Sequence, residues 1–581
     1  MLAHLLRYFR PYRGAYAVGL LLLLATNGLS LLLPWLLRGA VQDIEAGTTL
    51  QALARTAGLM AGVAVLQAWA RTQSRLKMLG ASRRVVYDVR NDFFAHLLRL
   101  GGSFYDRHRT GDIMSRGVND LRLLRSLYGP GILNLLNTVI VYSATLVLLL
   151  HIDARLTLVA LLPFPVLFVA VNQISRRVYV RSVAVQEQLS EISNRTQESL
   201  SGVQQIKTFV QEEREIEAFR GLCAEFRRRN LSMAVLRGSM LSLIGVVTGV
   251  ATLVVLFVGG GHVVQGRITF ADFVAFNAYL MFLAWPTISM GWVVNMFQRG
   301  IGALKRVREI MDQEPDVPPA ADEPESGEAD AVAGELEIRG LTFAYPGQTA
   351  PQLKDVSFTI PQGSRVALVG GVGSGKSTLM NLLARHYPAP PGTIFIGGQD
   401  INELPTSAVR RALGYVPQEA FLFARSLRDN ITLGHPSATT EEVERALDGA
   451  HLQDDLQQFP DGLDTVVGER GFTLSGGQRQ RVTLARAILA GADLLILDDA
   501  LASVDADTEQ AILSKLLGDG EGRTCILISH RVSTLAGTDR IIVLDQGRVA
   551  EQGTHEDLLQ LDGVYARLFQ RHVLEQQMDT P

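Results

Sequence analysis

The first half of the chain carries apolar runs long enough to cross a lipid bilayer, and no other feature restricts the fold as much. Inside hydrocarbon every backbone N–H and C=O must be paired within the protein, so only helices or a closed barrel can span it. Runs near 20 residues select helices. Six spans are expected, at Tyr16–Leu37, Thr56–Trp69, Gly131–Leu150, Leu156–Ile174, Met240–Gly260 and Phe270–Phe297. The second is the shortest, bracketed by Arg55 and Arg71, and its neighbours argue for it. The first does not read as a cleaved leader, being too long and lacking a small-residue cleavage site after "LLLPWLLRGAVQDI". Ahead of it, Arg7, Arg10 and Arg13 sit among apolar residues, as in a helix lying in the interface.

Two hydrophilic stretches, Gln73–Tyr128 and Ser175–Gly238, are helical in composition and rich in arginine (Arg83, Arg84, Arg90, Arg227, Arg228). The other loops, near Gln42–Gln51, His151–Arg155 and Gly261–Thr269, are short and carry few positive charges. Positive charge stays on the cytoplasmic side, which places both termini and the long loops there. Within the spans, Asn27, Asn137, Asn172, Asn277 and Asn295 either face a substrate path or bond helix to helix. Trp285 and Trp292 suit stacking on an aromatic ligand and suit packing or interfacial anchoring equally well. The spans hold no charge deep inside, which argues against a proton relay.

Composition changes halfway along. The acidic, proline-rich stretch Asp312–Glu335 has too few bulky apolar residues to offset its ordering entropy and reads as a linker. It separates a membrane domain, residues 1–311, from a soluble α/β domain, residues 336–574. The net charge of -3 gives no footprint for nucleic acid, and no nucleic-acid partner is expected. Cys223 and Cys525, the two cysteines, are too few and too far apart for a disulfide framework or a zinc site.

The second half carries the chemistry. "RVALVGGVGSGKSTLMNLL" is an apolar strand, a glycine-rich loop and a helix, with G-x-x-x-x-G-K-S at Gly370–Ser377. Backbone N–H groups of Gly370, Gly371, Val372, Gly373, Ser374 and Gly375 are expected to wrap phosphate oxygens, Thr378 continuing into the helix. Lys376 is expected to reach the β- and γ-phosphates of ATP, and Ser377 to ligate Mg2+. In "LLILDDALASVD" an apolar strand ends in Asp498, a Mg2+ ligand at the sheet edge where α/β proteins bind ligands. Asp499 follows, placed to orient or deprotonate the attacking water. "LSGGQRQRVTLARAIL" opens a second helix with Ser475, Gly476 and Gly477, another phosphate-type N-terminus. One domain needs one phosphate cradle, so this second one is expected to serve the nucleotide of a facing domain.

With LSGGQ in place the chain resembles the ATP-binding cassette (ABC) family, whose signature it is. The resemblance implies further roles. Tyr345 matches the aromatic that stacks on adenine, Gln418 the glutamine near magnesium and the membrane-domain contact, and His530 the switch histidine on the γ-phosphate. Gln478 completes the signature, and Glu469 matches the acidic loop that exporters carry before it. "ASVD", Ala502–Asp505, resembles the D-loop with its Ser-Ala order reversed. In the membrane half, "LLRLGGSFYDRHRTGDIMSRGVNDL" and "NRTQESLSGVQQIKTFVQEE" resemble the cytoplasmic loops of exporters, with coupling helices near Phe104–Thr110 and Asn194–Gly202. The expected fold is therefore a six-helix membrane domain with long cytoplasmic extensions joined to an α/β P-loop nucleotide domain.

In this family two nucleotide domains close head to tail around two ATP molecules, so one such chain is half a machine. In that family the aspartate that ends this strand, matched by Asp498, is usually followed by glutamate, and Asp499 is one methylene short. That resembles the weaker subunit of a heterodimeric bacterial multidrug exporter, whose partner half-transporter supplies the glutamate. The implied activity is ATP-driven export of an amphipathic drug or lipid across the bacterial inner membrane, with membrane lipid around it. A homodimer with two slow sites and an ATP-gated regulatory membrane protein are the alternatives. An importer is disfavoured because its domains usually sit on separate chains. A soluble DNA-repair ATPase is disfavoured by the six spans.

Overall fold

The computed structural model describes residues 7–317, 332–468, 471, 474–518, 523–529 and 531–579. The chain divides into two compact units, Met1–Leu98 with Gly111–Asp312, and Arg99–Thr110 with Gln313–Pro581. Among the described residues, five helices are long and apolar enough to cross a membrane: α1 (Arg7–Glu45), α2 (Leu50–Arg99), α4 (Thr110–Ile152), α8 (Glu212–Val264) and α9 (Phe270–Met311). Between them run α3 (Gly102–Arg107), α5 (Ala154–Leu161), α6 (Pro163–Ser201) and α7 (Val203–Thr208).

In the first unit the helices run on beyond their apolar stretches. Apolar sequence passes into charged sequence within one helix, because nothing in "WARTQSRLKMLGASRRVVYDVR" breaks it, and α2 reaches 50 residues. The short second span is simply the apolar part of this helix. The fourth falls on a shorter apolar stretch, Ala154–Val166. A turn at Leu162 ahead of Pro163 divides it, since proline lacks the N–H that a continuous helix needs but suits a first helical turn.

Asn27 donates to Asn137 Oδ1 at 3.1 Å, so these two asparagines satisfy one another across α1 and α4. Asn277 Oδ1 is buried and has no hydrogen-bond partner among the described residues. Trp285 and Trp292 lie on the exposed face of α9 rather than in the interior of this unit. The stretch Asn194–Gly202, expected as the second coupling helix, does not form a helix of its own. Asn194–Ser201 forms the last turns of α6, and the short separate helix is α7, beginning after Gly202.

The second unit holds two sheets. The first is antiparallel, in the order β2 (Leu353–Ile360), β1 (Leu336–Phe343), β4 (Ile394–Ile396), β5 (Gln399–Asp400). The second runs β10 (Arg548–Gly553), β9 (Arg540–Asp545), β3 (Arg365–Val369), β8 (Thr524–Ile528), β7 (Leu494–Asp498), β6 (Leu413–Val416). From β9 to β6 all its pairings are parallel, and β10 closes one edge antiparallel. Parallel sheets are covered on both faces, which is why β3, β7 and β8 are apolar and buried almost throughout.

Arg99–Thr110 belongs to this unit. Gly102 N–H donates to His386 O at 3.2 Å, Ser103 N–H to Asp316 Oδ2 at 3.0 Å, and Tyr387 Oη to the Asp106 carboxylate. A Cβ at Gly102 would stand 2.8 Å from the Tyr387 ring, so only glycine allows this approach. The stretch expected as the first coupling helix, Phe104–Thr110, overlaps α3 and ends where α4 begins.

Candidate nucleotide site

The site gathers at the C-terminal ends of β3 and β7. The loop after β3 leads into α10 (Lys376–Leu383). At Gly375 φ is +105°, and a Cβ would stand 2.6 Å from Leu353 Cδ2, so the last turn before the helix accepts only glycine. Gly371, Val372 and Gly373 form the exposed tip of the loop, while Ser374 and Thr378 are buried beneath it. Lys376 Nζ donates to Gly370 O at 2.7 Å and Gly371 O at 3.0 Å, folding its charge over the loop. Burial lowers its pKa, and the negative charges of Asp498 and Asp499 work in the opposite direction. An anion held by the loop would likewise favour the charged form.

Tyr345 Oη donates to Thr378 Oγ1 at 3.1 Å, which fixes the expected adenine platform to the first turn of α10. Its ring stands edge-on to Tyr387, centroids 5.0 Å apart. Tyr387 is the residue that holds Asp106 of α3, and burial together with that carboxylate raises its pKa.

Asp498 ends β7 and is 6% exposed. Tyr415 Oη, from β6, donates to Asp498 Oδ2 at 3.3 Å. Asp499 turns the chain sharply, with φ +48°. Its N–H donates to Ile528 O at 2.8 Å and its C=O accepts from Ala502 N–H at 3.2 Å, so its backbone is pinned on both sides. Gln418 lies exposed in the bend beyond β6, and Ser377 is exposed on α10. The Ser377 hydroxyl, Asp498 carboxylate and Gln418 amide are hard oxygen donors, a set that suits Mg2+ completed by water and phosphate oxygens. His530 and Glu469 lie outside the described residues.

The signature opens α11 (Gly476–Leu489). Ser475 caps it, its Oγ accepting from Gln478 N–H at 3.2 Å while Gln478 Oε1 accepts from Ser475 N–H at 3.0 Å. The Gln478 amide nitrogen donates to Asp455 at 2.9 Å. Gln478 is thus engaged in holding the helix start. Among the expected residues Lys376, Asp498 and Asp499 interact electrostatically, and Tyr345 bonds Thr378. Tyr415 and Tyr387 were not singled out in sequence. Alternation in β6 shows that Tyr415 differs from its apolar neighbours, but nothing local shows what it meets.

Comparison with known proteins agrees with this geometry. Residues 16–287 match the ABC transporter transmembrane region and residues 353–502 the ABC transporter domain. The chain is 34% identical to the probable multidrug resistance ABC transporter ATP-binding/permease protein YheI of Bacillus subtilis, over 98% of this chain and 97% of that protein. It is also 34% identical to the multidrug resistance-like ATP-binding protein MdlA of Escherichia coli, over 99% and 96%. To the ATP-dependent lipid A-core flippase of Syntrophus aciditrophicus it is 31% identical, over 97% and 93%. The solved structure of a bacterial Atm1-family ABC exporter with ATP bound superposes with a TM-score of 0.80, at 29% identity over 96% of this chain and 99% of that one. A multi-pass helical domain, a phosphate loop with its facing aspartates and a separate signature helix are thus carried on one chain, which belongs to the ABC transporters as an exporter-type, ATP-hydrolysing half-transporter.

Proposed function

We propose that this chain is one half of a dimeric exporter in a bacterial inner membrane, its nucleotide domain cytoplasmic, moving amphipathic drugs or lipids by alternating access. In this reading its partner is a different half-transporter carrying glutamate where this chain has Asp499. The chain's own site, built on Lys376, Asp498 and Asp499 with Mg2+, binds ATP and turns over slowly. Its signature completes the partner's competent site.

The observation that carries the heterodimer is Asp499 itself. Aspartate and glutamate have nearly the same intrinsic pKa, so reach is what differs, and the bonds to Ile528 and Ala502 oppose a compensating backbone shift. The names of the relatives, multidrug resistance proteins and a lipid flippase, support an amphipathic substrate. ATP binding closes the nucleotide domains, the coupling helices carry that movement to the spans, and hydrolysis resets them.

The test is ATP turnover of the purified chain alone, reconstituted in lipid, beside Asp499→Asn, with binding of a labelled ATP analogue as a folding control. Analogue binding with almost no turnover supports a degenerate site. Turnover on the order of 1 s⁻¹, lost in Asp499→Asn, would instead establish a working homodimer, the reading that the intact Gln418 and His530 favour. Stimulation of turnover by an amphipathic compound separates an exporter from an ATP-gated regulatory protein.

A further inference from the structure

The stretch after Asp499 is held by one guanidinium. Arg531 Nη2 donates to Ala502 O at 3.0 Å and to Val504 O at 3.0 Å, and Nη1 also reaches Val504 O at 3.0 Å. Nη1 further pairs with Glu509 Oε2, in the first turn of α12 (Ala506–Gly518). Glu509 is 3% exposed, and its other oxygen accepts from Thr534 Oγ1 at 2.7 Å. A buried carboxylate with both oxygens committed is a fixed anchor, and the planar fork of arginine can grip it and two carbonyls at once.

The held loop touches the signature on its other side. Ser503 N–H donates to Gln480 Oε1 at 2.9 Å, and Gln480 is 6% exposed. A Cβ at Gly477 would stand 2.9 Å from Ser503 O, and one at Gly476 would stand 3.3 Å from Ser503 Cβ. The second glycine of LSGGQ is therefore the seat on which the loop backbone rests, in addition to any role toward phosphate. The loop starts from the Asp499 turn, whose C=O accepts from Ala502 N–H.

We propose that Arg531 is a positioning residue that locks Ala502–Asp505 into one frame with the start of α11 and the Asp499 turn. The chain's contribution to the facing site (Ser475, Gly476) and to its own site (Asp499) then move as one body. This rests on the ABC reading for the meaning of the two sites, but not on whether Asp499 is slow or fast. Arginine is required because lysine offers one ammonium, which cannot hold Glu509 and both carbonyls in this geometry.

The test uses the full chain in lipid nanodiscs and reads backbone hydrogen exchange by mass spectrometry, alongside thermal unfolding and binding of a labelled ATP analogue. Arg531→Gln alone leaves Glu509 buried without its partner, so Arg531→Gln/Glu509→Gln is made beside it to remove both charges. In the double variant, peptides covering 474–482 and 501–506 are expected to exchange at least 10-fold faster. Peptides covering 370–378, the unfolding midpoint and analogue affinity are expected to stay as in the parent. Arg531→Lys is expected to restore the midpoint of the single variant but not the protection of 501–506. Parental protection of 501–506 in the double variant would overturn the proposal, leaving Arg531 only to balance Glu509. Faster exchange throughout the domain, or weaker analogue binding, would overturn it as well, by making the role one of folding. Turnover enters neither criterion, so a fast wild-type chain would refute the unequal-site reading and leave this result standing.

Discussion

Asp499→Glu puts the reach argument to a quantitative test. The Asp499 backbone sits at φ +48°, between bonds to Ile528 O at 2.8 Å and from Ala502 N–H at 3.2 Å. The carboxylate can therefore advance only through the side chain, and one methylene adds roughly 1.5 Å, one carbon–carbon bond length. A misplacement of about 1 Å costs on the order of 100-fold in rate, which is about 2.7 kcal/mol of barrier. The opposing effect is conformational. Aspartate is enriched several-fold over most residues in the left-handed region, so glutamate there costs on the order of 1 kcal/mol, or roughly 2–4 °C in a domain of this size. The expected outcome for the chain alone in lipid is a gain of about 10- to 100-fold in phosphate release, with a slightly lowered unfolding midpoint and unchanged binding of an ATP analogue. A variant that binds the analogue yet hydrolyses no faster than the parent would refute the claim that reach limits this site.

Other expectations follow from single contacts. Tyr387→Phe removes the bond to Asp106 while keeping the ring against Tyr345. Basal turnover should stay within about two-fold and substrate stimulation should fall several-fold, as expected if α3 transmits the signal; equal loss of both would point to a folding defect. Burial pushes the Cys525 thiol up to about 12, whereas Cys223 is exposed. Iodoacetamide at pH 8 should therefore label Cys223 alone in the folded chain and both cysteines after denaturation, read by peptide mass spectrometry. Asn137→Val strands Asn27, and should lower stability in detergent by about 0.6–1.7 kcal/mol without altering substrate stimulation. A changed substrate response with unaltered stability would place the pair on the transport path instead.

The length of the apolar runs was enough to locate the five long apolar helices, because a bilayer leaves the backbone so few options. They did not show where helices end. The second span looked weak at Thr56–Trp69 because hydropathy sees only the apolar part of a helix that continues to Arg99. In the other direction, Leu156–Ile174 looked continuous, although Pro163 divides it by removing one backbone donor. The helix expected at Asn194–Gly202 is not separate either, being the end of α6. Helix-forming residues continue unbroken to Ser201, and Gly202 is the first natural stop.

The nucleotide site divides along the same physical line. The glycine-rich loop is legible because its pattern is local: glycines, lysine and serine lie within one short stretch of chain, and Gly375 is required by its own φ and by Leu353 beside it. Asp498 is legible because an apolar strand must end at the sheet edge. Tyr415, Tyr387 and Arg531 have no such local mark. Each works through a partner 83, 281 or 22 to 29 residues away, and only the fold brings those partners together. Gln478 shows the converse. Its place in LSGGQ suggests a ligand contact, yet its amide is taken by Ser475 and Asp455, because a helix start needs its free N–H groups satisfied before it can present any to a phosphate. A signature residue can therefore serve the nucleotide by shaping the helix end that meets it. Gln478→Glu retains the acceptor for Ser475 N–H but presents a carboxylate to Asp455. It should leave the helix start formed, loosen the packing toward Asp455, and weaken signature function without touching ATP affinity at Lys376.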